Sequence, residues 1–139
     1  MTYRSEIGQL GEDLACKYLV DKAYRIIERN FRRPWGELDI IAEAPDKTLV
    51  FIEVKTMREN PGGLEPADQL TKSKLQKLKR TASLYAGHYP GLIKDDKGWR
   101  IDLITLVFQK FHELILNKPS NLTINEKSCD IKYYENIAD

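Results

Sequence analysis

Two cysteines in 139 residues, Cys16 and Cys129, are too few and too far apart to form a disulfide framework or a metal-binding spacing. The two histidines, His88 and His112, stand alone, which argues against a histidine metal centre. No apolar run approaches the roughly 18 residues that a membrane span needs. The opening residues, MTYRSEIGQLGED, mix charged and polar groups and lack the apolar stretch of a signal peptide. These absences lead us to expect a reduced, cytoplasmic protein with no membrane partner. Acid is missing from one region in particular. Between positions 69 and 94 there is no Asp or Glu, while Lys72, Lys74, Lys77, Lys79, Arg80 and Lys94 all fall there. A second basic cluster is Arg29, Arg32 and Arg33. The net charge of +1 carries no nucleic-acid signature, so any signal lies in this distribution. A solvated helix face accounts for most such clusters, and neither is a binding site by itself.

The chain is long enough for one domain with a substantial core and short for two. Ile7, Leu10, Leu14 and Tyr18 recur at spacings of three and four, which predicts an amphipathic helix over 5–22 with Ser5 as its cap and Cys16 buried within it. Strands are expected at 24–31, 36–44, 48–57 and 99–108. A loop is expected at 60–65, and a second helix over 66–87 opens on Pro66 and carries Leu70, Leu75, Leu78, Ala82 and Tyr85 near one face. Weaker strand-like pieces fall at 111–116 and 130–135. The order is helix, three strands, helix, strand: one mixed α/β domain. Residues 1–108 form its core, and 109–139 form an extension packed on the same domain.

The informative segment is GELDIIAEAPDKTLVFIEVKTM, beginning at Gly36. It reads as two strands about a turn at 45–47 and carries Asp39, Glu53 and Lys55 inside apolar runs. Alternation places Glu37, Asp39 and Ile41 on one face and Phe51, Glu53 and Lys55 on one face of the next strand. Closing the turn there sets Ala44 opposite Thr48, Ile41 opposite Phe51, Asp39 opposite Glu53 and Glu37 opposite Lys55. Carboxylates facing each other repel, and apolar neighbours raise the cost. Lys55 alone is one positive charge against two or three negative, so the imbalance suggests a divalent metal. The plainer account is an edge pair neutralised by Lys55.

GEDLACKYL at 11–19, RIIERNFR at 25–32, GELDIIA at 36–42 and LVFIEVK at 49–55 resemble the YraN-like family of predicted endonucleases, within the PD-(D/E)xK restriction-endonuclease-like superfamily. Lys72 and WRIDLI at 99–104 fit more loosely. The resemblance implies a restriction-endonuclease-like α/β fold, a central mixed sheet flanked by helices. It implies metal-dependent hydrolysis of DNA phosphodiesters with magnesium or manganese. It carries over Asp39, Glu53 and Lys55 as the catalytic set, with Asp39, Glu53 and the Val54 carbonyl as metal ligands. Glu12 matches an additional acid of related Holliday-junction-resolving nucleases, which implies branched or non-duplex DNA and a homodimer with two active sites.

Beside it, the residues themselves nominate Lys72, Lys79, Arg80, Arg32 and Arg33 for contact with phosphates, with Gln76 on the same side of the helix as Lys72 and Gln69 near its start. Asp102 is expected to be a structurally paired strand acid, and Glu37 a strand-end pair for Lys55. The chain departs from the family at Ala23, where glycine is usual, and at Met57, where an arginine is common. Ala23 costs stability if its φ is positive. Two other readings use the same residues: a non-catalytic nucleic-acid-binding protein on this fold, and an assembly or adaptor protein presenting Trp35, Trp99 and the tail.

Overall fold

The computed structural model describes residues 3–58, 67, 70–108 and 129–138, with backbone alone at 3–5 and 58. Helix α1 (Tyr3–Asp21) leads into strands β1 (Arg25–Arg33), β2 (Gly36–Glu43) and β3 (Leu49–Arg58). Helix α2 (Lys72–His88) and a 3-10 turn at Pro90–Leu92 then lead to β4 (Trp99–Phe108), and β5 (Cys129–Tyr134) comes from the extension. The sheet order is β1-β2-β3-β4-β5. All neighbours are antiparallel except β3 and β4, which run parallel with α2 as their crossover. The mixed sheet flanked by helices matches the expected α/β architecture.

Each helix covers one face. Leu14, Ala15 and Leu19 of α1 pack on Ile40, Ala42, Val50, Ile52, Ile104 and Leu106. Ala82, Tyr85 and Ala86 of α2 pack on Phe31, Leu38, Ile41, Leu49, Phe51 and Ile101. Because β2, β3 and β4 are covered on both sides, they read as nearly unbroken apolar runs. Each fully buried Leu or Ile contributes about 1.5–3 kcal/mol. Cys16 is only partly buried, packed against the α1-side core. The approach is close at two glycines. A Cβ on Gly11 would meet Thr56 of β3, with Thr56 Cβ at 3.2 Å, and one on Gly36 would meet Thr81 of α2, with Thr81 Cβ at 2.9 Å. Gly8 has no neighbour within 4 Å of such a Cβ.

Several boundaries differ from expectation. Helix α1 begins at Tyr3, so Ser5 lies inside it rather than capping it. The described part of the second helix begins at Lys72, where Thr71 caps it by accepting a hydrogen bond from the Lys74 N–H at 3.2 Å. Pro66, Gln69, the 60–65 loop, the 111–116 piece and His112 lie outside the described residues. Ala23 stands at φ 69°, the left-handed region, where a Cβ is disfavoured.

The larger correction concerns β2. Ile41 pairs with Phe51 as expected, and the Ala44 N–H donates to the Thr48 carbonyl at 2.9 Å. The β2–β3 ladder then stops at Ile40 and Ile52, so Asp39 and Glu53, and likewise Glu37 and Lys55, are not ladder partners. Strict alternation fails as well. Leu38 shares the α2-side core with Ile41, whereas Ile40 belongs to the α1 side. Strand β1 switches at the same level: Arg29 reaches Asp13 of α1, while Phe31 packs edge-on to Tyr85 of α2. Between them is Asn30 at φ 53°, a conformation that asparagine tolerates better than most residues. Register places Asn30 across from Asp39, between the pairs Arg29–Ile40 and Phe31–Leu38. Both strands therefore twist out of phase at one level, and Asp39 sits at that level.

Candidate active site

Asp39 takes the place of the missing ladder bond. Its Oδ2 accepts the Val54 N–H at 2.9 Å, tying β2 to β3 by side chain where backbone pairing has ended. A strand residue carries its N–H and C=O on the same edge, so the Val54 carbonyl belongs to the edge that Asp39 addresses. Glu53 and Lys55 follow on β3 with side chains toward α2, two residues apart on one face as alternation requires.

The Glu53 carboxyl is pushed up to about 8, first by burial and then by Asp39, whose charge and hydrogen bond both favour the protonated form. Lys55 and then Lys74 oppose this and do not overcome it. Glu12 approaches Asp39 from α1. Its carboxyl is raised by burial and by Asp39, and is pulled back by a hydrogen bond from Asn30 and by Arg29 and Arg32. Arg29 Nη2 lies 3.8 Å from Glu12 and 2.7 Å from Asp13. The acids thus meet through Asp39, with Glu53 on the α2 side of the sheet and Glu12 on the α1 side.

Two carboxyls held this close, one of them buried, cannot both ionise without cost, because burial and Asp39 raise Glu53 more than Lys55 and Lys74 lower it. A divalent cation with hard oxygen ligands would offset that cost. Among the described residues no three His, Cys, Asp or Glu side chains form a ready-made cage. Magnesium suits a sparser set, because it keeps several waters and needs only one or two carboxylates together with substrate phosphate.

In front of Glu53 and Lys55 is a cavity of about 410 Å³ between β3 and α2. Arg80 lines it, and so do Lys74, Lys77 and Trp35, which are not among the site residues expected from the sequence. Positions 74, 77, 78 and 81 make one helical stripe, a spacing visible in the sequence but passed over by a register counted from Lys72. Lys72 and Lys79 are exposed on α2 and do not line the cavity. Arg32 pairs across strands with Glu37 at 3.7 Å, and the Arg33 guanidinium lies over the Phe31 ring at 4.5 Å. Neither arginine lines the cavity, although Glu37 does.

Asp102 has a different setting. It is fully buried, with Arg100 Nε at 3.1 Å and the Asn136 N–H at 2.8 Å, and it accepts the Tyr133 hydroxyl. This is the structural pairing expected from the sequence. It also ties the extension to β4, since Tyr133 and Asn136 both come from beyond residue 108.

The model of the uncharacterised protein family UPF0102 matches residues 11–106. A UPF0102 protein of Corynebacterium efficiens is 39% identical over 108 residues, covering 76% of this chain and 81% of the relative. One from Syntrophomonas wolfei is 45% identical over 85 residues, covering 61% of this chain and 72% of the relative. One from Dictyoglomus thermophilum is 36% identical over 110 residues, covering 79% and 89%. The match holds Glu12, Asp39, Glu53, Lys55 and the cavity lining, while β5 lies outside it. Among the described residues no helix is long and apolar enough to cross a membrane.

Proposed function

Because the chain belongs to the uncharacterised protein family UPF0102, whose name assigns no activity, we propose from the site itself that it is a metal-dependent DNA endonuclease. The observation that carries this reading is the crowding of Asp39 against buried Glu53, which pushes the Glu53 carboxyl up to about 8, with Glu53 and Lys55 opening on a cavity also lined by Lys74, Lys77 and Arg80. Acids gathered against their own repulsion, facing cations suited to phosphate, are the parts that phosphodiester hydrolysis requires.

In this reading Asp39 and Glu53, with the Val54 carbonyl, hold magnesium or manganese. The ion would polarise the scissile phosphate and lower the pKa of an attacking water. Lys55 then contributes a point charge to the attacking water or the phosphate as negative charge develops. Lys74, Lys77 and Arg80 hold the backbone phosphates, with Lys72 and Lys79 extending the basic surface along α2. Glu12, hydrogen-bonded by Asn30, brings a further carboxyl within electrostatic reach of Asp39 from the opposite face.

The test is a labelled panel of duplex, single strand, flap, fork and four-way junction with magnesium, manganese or EDTA. Wild type is compared with Lys55→Ala. The expected outcome is metal-dependent product that falls about 10²–10³-fold in the variant. DNA bound throughout with no cleavage would replace the endonuclease reading with a non-catalytic nucleic-acid-binding protein. Junction resolution further needs two active sites in a homodimer. A strict monomer by light scattering would restrict the substrate to flaps, forks or single strands.

A further inference from the structure

We propose that Trp35 is a stacking platform for an unpaired base of the DNA strand whose backbone occupies the cavity. The site would then select DNA with a single-stranded stretch beside the scissile bond. The placement of that backbone rests on the endonuclease reading; the state of the base is new.

Trp35 is a large apolar side chain left 38% exposed in the connection between β1 and β2. The ring is held from two sides. Phe31 packs tilted against it with centroids 5.5 Å apart, and His88 lies nearly parallel at 6.2 Å and 13°. The next residue, Gly36, is pressed so closely on Thr81 that no side chain fits, which fixes this backbone against α2. The ring is therefore positioned rather than merely exposed.

Its surroundings identify the ligand chemistry. Trp35 lines the same cavity as Glu53, Lys55, Lys74, Lys77 and Arg80. No described carboxylate forms a salt bridge with Lys74, Lys77 or Arg80. An aromatic face beside cations matches a ligand with a flat apolar ring joined to a phosphate, which is a nucleotide unit. An aromatic peptide side chain would satisfy the ring and leave the cations unmatched. A base inside a duplex already has both faces covered by its neighbours, so an indole in a cavity reaches only a base outside the stack. Stacking is indifferent to base identity, so preference should follow strandedness rather than sequence.

The experiment uses the full chain in EDTA, where no cleavage occurs, with labelled oligonucleotides of about 12 residues, near the site sizes of single-strand binders. Three probes are compared by anisotropy and tryptophan quenching: oligothymidine, the same backbone with an abasic centre, and a duplex. Oligothymidine is expected to quench fluorescence and to bind about tenfold or more tightly than the abasic strand. Trp35→Ala should bring oligothymidine down to the affinity of the abasic strand, while Trp35→Phe should keep most of the preference for oligothymidine and lose the quenching. Equal affinity of wild type for oligothymidine and the abasic strand would overturn the proposal, and needs no variant to fold. Duplex binding as tight as oligothymidine would also overturn it. The two readings separate cleanly. Cleavage lost in Lys55→Ala with no abasic penalty leaves the nuclease and removes the platform. Stacking without cleavage of any substrate does the reverse.

Discussion

Asp102 and Glu53 stand almost side by side in the parallel pair of strands. Asp102 of β4 is level with Ile52 of β3, and Glu53 is level with Leu103, so the two acids are one residue apart on opposite faces. On the α1 face, Asp102 is surrounded by donors supplied by the fold: Arg100, Tyr133 and the Asn136 N–H. On the α2 face, the nearest strong influence on Glu53 is another acid, Asp39. A carboxylate can be taken out of water when its partners are built in. Where they are withheld, the carboxyl holds on to its proton instead, as Glu53 does.

The largest effect should come from breaking the satisfied side. Asp102→Ala would remove the buried acceptor shared by Arg100, Tyr133 and the Asn136 N–H, leaving Arg100 with the exposed Glu135 and the Tyr24 hydroxyl and loosening the extension where it meets β4. We expect a loss of about 3–5 kcal/mol in urea unfolding, the usual cost of breaking a buried pair. A change under about 1 kcal/mol would show that the two acids do not differ as described.

The opposite sign is expected for Glu53→Gln, which removes a carboxyl that must take up a proton on folding at neutral pH. Without metal the variant should melt about 2–4 °C above wild type. Magnesium or manganese should then raise the melting temperature of wild type and leave the variant unmoved. A metal-free variant that melts below wild type would contradict the charge argument.

The same contrast predicts a pH dependence. Glu53 is raised from the usual 4.5 to about 8 on folding, so the folded state holds its proton more tightly than the unfolded chain. That contribution is complete below pH 4.5 and is lost as pH rises through about 8. The stability difference between wild type and Glu53→Gln, followed in EDTA, should therefore widen to the disadvantage of wild type over this window. A flat difference would remove burial and Asp39 as the causes.

The smallest effect sharpens the comparison as a control. Ala23 holds a positive φ without touching either acid. Ala23→Gly should add about 1 kcal/mol in urea and leave divalent-ion binding unchanged. Destabilisation would mean that the turn after α1 is held by more than φ.

Much of this was legible in the sequence, and what was not has physical reasons. The uninterrupted run WRIDLITLVF marked β4 to the residue, and the turn at 45–47 set Ile41 opposite Phe51. Asp39, Glu53 and Lys55 stood out as charges among apolar neighbours. Alternation then misplaced Asp39, because period-two reasoning assumes a regular pleat and cannot foresee a left-handed Asn30 on the neighbouring strand. Trp35, Lys74 and Lys77 were missed as site residues because their meeting point exists only once α2 crosses over β3. The role of Asn30 toward Glu12 was hidden in the same way, since its partner lies on a different element.

The single parallel pairing has a kinetic consequence. Strands β1, β2 and β3 are joined by short connections, so Asp39, Glu53 and Lys55 belong to a unit of local contacts that loop closure hardly opposes. The β3–β4 pairing must first enclose the whole span from Arg58 to Trp99. The acids can therefore come together before the cationic wall that faces them, and their mutual repulsion would be felt during folding without relief from Lys74, Lys77 or Arg80. Stopped-flow refolding should show Glu53→Gln accelerating the folding arm itself, and an effect confined to unfolding would place the assembly of the acids after the rate-limiting step.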